Sequence, residues 1–357
     1  VERRVGILAF ALAVAFIPGA LRADTVGRYA LLAVVVPFLV GFPPRLTAGH
    51  LFGGLFLAWG AASLTWTSSI YDGLDELVTF LIMAGLFCIG SELRSMRPVY
   101  IGLGASIAIN SAIAAVQWYG GETPTGLFLI KNYLAEPAAL VLIGLIGNRL
   151  WLFAALALPA VLLPHARGAL VALAAAGAAW CWTRSRRLTG VVLAVMAAAC
   201  IGWLWLEPSG GDIAQRFAIW RDTIDCLTPL GHGLGAFFTD YVGHASRYNI
   251  MAARPAHAHN DFLEIVYELG PGILPFMALL AYSLAGRRRT ESLVLIAFCV
   301  EACFAFPLHF PVPSFLAALA AGHLCRDGNS LRGNLALCAS RIRSWARAAW
   351  PGGRRAS

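Results

Sequence analysis

Charge is what this chain has least of. Charged residues make up 13% of its 357 positions, against about 25% in a soluble domain. With 59% hydrophobic residues, there is too little polar surface to solvate an ordinary globular fold. Lysine is nearly missing, with Lys131 the single one beside 26 arginines. No Gly-x-x-x-x-Gly-Lys-Ser/Thr loop or dinucleotide glycine pattern occurs, so a nucleotide-driven enzyme is not indicated and no cofactor is expected. No repeat of fixed period and no inverted pair of broken helices stands out, as many transporters would show. Of the eight cysteines, only Cys226 falls in the long polar loop, so no disulfide can close within it. Cys299 and Cys303 share a helix face and read as small packing residues.

What is present is a series of apolar runs near the roughly 20 residues that cross a bilayer. Twelve candidate spans lie near 5–21, 28–42, 49–66, 74–91, 99–119, 133–147, 150–164, 168–183, 188–206, 262–285, 291–307 and 312–325. The chain is therefore expected to be an all-α polytopic membrane protein, because a helix satisfies its own backbone in lipid. Val1-Glu2-Arg3-Arg4 before an apolar run reads as a retained first helix rather than a secretory signal.

The arginines orient the spans. With both termini inside, cytoplasmic segments hold 19 basic residues and outer ones eight, four of these in the long loop. That asymmetry favours an N-in, C-in arrangement. Four regions follow: helices 1–9 over 1–206, an outer loop over 207–261, helices 10–12 over 262–325, and a basic cytoplasmic tail over 326–357. The tail interleaves Leu335, Ile342 and Trp345 with arginines. It reads either as an interfacial helix on anionic lipid or as a disordered basic segment. The net charge of +8 is mostly inner-surface arginine, and nucleic acid binding is not implied.

The outer loop has structure of its own. Ile213, Phe217, Trp220, Ile224 and Leu227 recur at steps of three and four, which predicts an amphipathic helix laying its apolar stripe against the membrane domain. Pro229-Leu230-Gly231-His232-Gly233-Leu234-Gly235 then breaks it.

Polar chemistry concentrates where this loop meets the tenth span, in His257-Ala258-His259-Asn260-Asp261-Phe262-Leu263-Glu264. His259 is the strongest candidate for catalysis, since a neutral imidazole accepts a proton at neutral pH. Asn260 is placed to orient a ring or a sugar hydroxyl; His257 and Glu264 are further candidate contacts, and Asp261 complements the helix dipole. Arg167 and Arg216 are candidate anion-binding residues, because guanidinium grips phosphate bidentately without a metal. Arg221 is a weaker one. Lys131-Asn132 leads into a helix carrying Glu136, either as an ion pair that shapes the helix start or as a substrate contact. His257-x-His259 lacks an evident third ligand, so no metal is expected.

Taken together, Arg167-Gly168 at a helix start, Arg216-x-x-x-Trp220, Gly231-x-Gly233-x-Gly235 and His259-Asn260 resemble the O-antigen ligase and polymerase superfamily of bacterial membrane glycosyltransferases. The resemblance runs from about helix five to helix eleven. In the ligases His-Asn is followed by nine residues and Gly-x-x-Gly; here Gly270 fits, and the second glycine falls at Gly272 instead. The resemblance implies about twelve helices and one large, partly helical periplasmic loop in the bacterial inner membrane. It further implies a donor glycan on undecaprenyl diphosphate and a metal-independent, inverting transfer. His259 would be the base, and Arg167 and Arg216 would hold the diphosphate. The acceptor would be lipid A-core for a ligase, a second lipid-linked repeat for a polymerase, or a protein hydroxyl for an oligosaccharyltransferase. A lipid-linked oligosaccharide transporter or flippase is the rival from another class.

Overall fold

A computed structural model describes residues 44–128, 130–191, 211–247, 254–286 and 289–326. Among them the secondary structure is wholly helical. The helices are α1 (Ala48–Ser63), α2 (Ile70–Glu92), α3 (Arg97–Tyr119), α4 (Lys131–Gly147), α5 (Trp151–Leu162) and α6 (Arg167–Trp182). After them come α7 (Gly211–Asp225), α8 (Phe237–His244), α9 (Asp261–Leu269), α10 (Ile273–Leu284), α11 (Arg289–Ala302) and α12 (Pro311–Cys325). Short 3-10 turns at Gly270–Gly272 and Pro307–His309 precede α10 and α12.

Three stretches are long and apolar enough to cross a bilayer: Ile70–Glu92, Arg97–Tyr119 and Asp261–Leu284, which joins α9 to α10. The protein is thus a helical chain built like a membrane protein, but the described residues do not give twelve spans. The expected spans 5–21 and 28–42, most of 188–206 and the tail from 327 lie outside the described residues. The remaining nine coincide with helices, several of them short. At 1.5 Å per residue, the 12 residues of Trp151–Leu162 cover about 18 Å of a core about 30 Å thick.

Local sequence sets the helix starts. Pro98 and Pro311 occupy first turns, where no amide hydrogen is needed. Gly270, at φ +49° with Pro271 behind it, separates α9 from α10. The core is centred on α12, which is buried along its whole length and lies against α2. Glycine makes that contact possible. A Cβ added at Gly322 would collide with the Phe87 carbonyl, and one at Gly90 with the Leu319 carbonyl. Close backbone approach through small residues is how helices associate where lipid removes the hydrophobic drive.

The two ends of the bundle differ. At one end the Arg45 amide donates to Glu92 and Arg326 donates to the Leu93 carbonyl. At the other, the 230–235 loop is clamped between α9 and the α1–α2 connection. The His232 and Gly233 amides donate to the Tyr267 and Glu268 carbonyls at 2.9 and 2.8 Å, and Thr67 Oγ1 donates to the Leu234 carbonyl. Gly231, Gly233 and Gly235 all take positive φ, and a Cβ on any of them would strike the backbone of a neighbouring segment. The spacing of three glycines is therefore a steric requirement of this clamp.

The expected loop helix forms, but its apolar stripe packs only in part, through Trp220. In α7, Ile219, Asp222 and Thr223 are buried, while Phe217, Ile224 and Leu227 are 55%, 53% and 39% exposed. The cause is a polar knot. Asp222 accepts from the Ser246 and Arg247 amides, from Ser246 Oγ and from Tyr241 Oη, and pairs with Arg247 at 3.1 Å. Satisfying a buried carboxylate this fully outweighs burying three apolar side chains. Arg247 also meets Asp225, and the two acids raise its pKa above the ordinary arginine value.

Candidate functional site

The site lies at the clamped end, around the start of α9. Asn260 is the N-cap there: its Oδ1 accepts the Leu263 amide at 3.1 Å. The residue expected to orient a ring or a hydroxyl thus has a structural task in the described fold. Asn260→Ala is expected to lower stability by about 1 kcal/mol, measured as a lower melting temperature in detergent.

Glu264, one turn on, is 2% exposed and gathers the segment before the helix. Its Oε2 accepts the Ala258 amide at 2.6 Å, and its Oε1 lies 2.8 Å from His257 Nδ1. The same Oε1 is 3.3 Å from His309 Nε2. His309 stands in the 3-10 turn before α12, its ring stacked on that of His257 at 4.0 Å between centroids. Asp261, fully buried, accepts the Leu308 amide at 2.9 Å and so ties this turn to α9. It does more than complement a helix dipole.

These residues form part of the wall of a cavity of about 300 Å³. Carboxylates dominate its lining, with Asp72, Asp75 and Glu76 from the start of α2 facing Glu264 and Glu268 from α9. Glu268 accepts the Phe237 amide at 2.9 Å. Phe80, Phe237 and Phe238 supply apolar wall. No lysine or arginine stands among the described lining residues. Two sets have ligand atoms close enough to share a metal ion, His257 with Glu264 and His309, and Glu76 with Glu264 and Glu268. His257-x-His259 does not act as a ligand pair: His257 finds Glu264 and His309 instead, and His259 belongs to neither set.

His259 is half-buried beside this wall rather than on it. Its φ of +55° is a left-handed conformation, uncommon for a residue other than glycine. It is held from both sides, by the Glu264–Ala258 bond before it and the Asn260 cap after it. Its ring meets Phe306 edge-on at 5.0 Å, and Phe306 also meets the His257 ring at 4.6 Å.

Arg216 comes to the same place. Its guanidinium donates to the Phe304 carbonyl at 2.5 Å. One turn later, Trp220 Nε1 donates to the Ala258 carbonyl at 2.9 Å, and its ring meets Phe304. The Arg216-x-x-x-Trp220 spacing thus docks α7 onto both the residue before His259 and the segment leading to Phe306. Arg216 is also in Coulomb reach of Glu136, buried in α4. Of the two readings of Lys131 and Glu136, the ion pair does not form among the described residues, and the basic group that acts on Glu136 is Arg216. Arg167 opens α6 as expected, and a Cβ on Gly168 would sit 3.5 Å from Glu136 Oε1, so the α6 start borders the same acid. Lys131 is exposed and Asn132 half-buried at the α4 start, which Tyr133 anchors by a tilted ring contact with Phe310 at 3.8 Å. Arg221 is exposed on α7 and has no part in this group.

His309, Glu76 and Glu268 carried no sequence signal of their own. Alternating topology does place residues near 72, 257 and 309 at one membrane face, and that was the available clue. The chain matches no family model and no curated protein.

Proposed function

We propose that the protein is a glycosyltransferase at the periplasmic face of the bacterial inner membrane. It would move a glycan from an undecaprenyl-diphosphate carrier to an acceptor hydroxyl, most nearly as an O-antigen ligase acting on lipid A-core. The observation that carries this is the docking of Arg216-x-x-x-Trp220 onto the Ala258–Phe304 wall, which sets a guanidinium and the His259 imidazole around one aromatic cluster. Polymerase and protein O-oligosaccharyltransferase activity belong to the same reading with a different acceptor.

In this reaction His259 takes the proton from the acceptor hydroxyl as its oxygen attacks the anomeric carbon. The bond from that carbon to the diphosphate breaks on the opposite face, which inverts the centre. Polyprenyl diphosphate leaves with the bonding pair. Arg167 and Arg216 receive the charge that develops on it, so no metal is assigned to the step. The N–H groups of Arg216 not used on Phe304 are available for this. The orientation is N-in and C-in, with the donor tail in the bilayer.

A transport reading would draw on Glu136 and Glu301, buried within Coulomb reach of each other, with both Glu301 oxygens lacking a hydrogen-bond partner among the described residues. The glycosyltransferase reading is tested first in the source cell. Deleting the gene is expected to remove long surface glycans from a gel, with wild type restoring them and Arg167→Lys restoring them poorly, since ammonium lacks the planar fork. Bare core indicates a ligase, and core with one repeat a polymerase. An unchanged ladder rules out both.

A further inference from the structure

The cavity beside His259 is walled very differently from the arginine side of the site. Five carboxylates line it, and among the described residues its only basic lining groups are the imidazoles of His257 and His309. A diphosphate has no partner there: no lysine or arginine stands among the described lining residues to offset its charge. The wall nevertheless has a built polar feature. His257 Nδ1 lies 2.8 Å from Glu264 Oε1, and when the neutral ring donates from Nδ1 its Nε2 is left as an acceptor. Glu264 is itself locked by the Ala258 amide and flanked by His309. On the facing helix, Glu76 Oε2 is a fully buried oxygen with no hydrogen-bond partner among the described residues. Imidazole nitrogen and carboxylate oxygens are acceptors that match hydroxyl donors. Phe80, Phe237 and Phe238 offer apolar faces to the carbon side of a ring. The volume of about 300 Å³ has room for a sugar ring.

We infer that this cavity is the acceptor subsite, and that it takes an uncharged sugar ring whose hydroxyls are held by His257 on its Glu264 support. The inference rests on the glycosyltransferase reading and adds to it the class of the receiving sugar. Phosphorylated or carboxylated rings would find no lysine or arginine among the described lining residues to hold them. His257 touches the acceptor; Glu264 acts through His257 and is a positioning residue. Phe306 meets the rings of both His257 and His259 and so links the cavity wall to the base.

The test uses the full chain purified in detergent. Its donor is the lipid-linked glycan extracted from source membranes. Its acceptors are the glycolipids of the same membranes, digested to free terminal sugars and separated by anion exchange into neutral and terminally phosphorylated pools. Wild type is expected to transfer to the neutral pool and not to the phosphorylated one. His257→Gln is expected to raise the acceptor KM roughly 10- to 100-fold, the loss of one hydrogen bond held by a charged group, with the donor KM unchanged. Glu264→Gln should do the same, and added pressure on folding from that change is checked by Glu264→Asp, which keeps the charge and should recover part of the KM. Transfer to the phosphorylated pool overturns the inference, as does an unchanged acceptor KM in His257→Gln. Wild type that turns over no donor with either pool fails the glycosyltransferase reading itself, a result distinct from both.

Discussion

Replacing His259 with asparagine is expected to lower glycan transfer about 10²- to 10⁴-fold, the usual worth of a general base, while the protein still folds. Asparagine is the informative substitution because of the backbone. His259 sits at φ +55°, where Asn is several-fold enriched and alanine is strained. His259→Ala would therefore mix loss of the imidazole with a shift of the segment that Glu264 and Asn260 hold. Comparing the two separates chemistry from geometry. If both variants lose kcat to the same extent and melt like wild type, the ring is what matters. If His259→Asn transfers at the wild-type rate, His259 is not the base, and the role passes to another group at the α9 start. The donor KM should not move in either variant, since the diphosphate is assigned to Arg167 and Arg216.

The second large effect is expected far from the site. Gly322→Ala places a methyl group against the Phe87 carbonyl, where α12 meets α2. The two backbones must separate, and overpacking of this kind costs about 1–3 kcal/mol. Gly322→Val should cost more. The measurement is the melting temperature and the monodispersity of the protein in detergent. Gly54→Ala is the matched control, because an added Cβ there meets nothing within 4 Å and alanine is the better helix former by about 1 kcal/mol. Equal melting of Gly322→Ala and wild type would mean that the helices do not touch as closely as described.

Helix positions were legible because apolar runs and proline or glycine breaks are local signals; Ile70–Glu92 and Arg97–Tyr119 fall almost where the runs predict. The span count was not legible, since hydropathy marks an apolar run without saying whether its helix ends at residue 162 or three residues later. The face that α7 buries was misread because the moment of its apolar residues ignores Asp222, whose five partners come from as far as Arg247. The site was half legible. His257, His259, Asn260, Asp261 and Glu264 are near in sequence, so their cluster shows on the line of residues. The partners of Glu264 and Asp261 at Leu308 and His309 do not, because only the packing of α12 onto α2 carries that turn to the α9 start. Asn260 was assigned a substrate and proved to be a cap, a reminder that cap and ligand chemistry use the same side-chain oxygen.

That packing also has a consequence in time. Ribosomes deliver α2 early and α12 last among the described helices, with more than two hundred residues between Phe87 and Gly322. Until the last helix is made, the Phe87 carbonyl has no glycine against it and Glu264 has no His309 beside it. The nascent chain therefore carries an open seam through most of its synthesis, and the same closing motion that seals the seam completes the cavity. Assembly and competence are one event in this fold, so no partly inserted chain can present a finished site to a lipid-linked sugar.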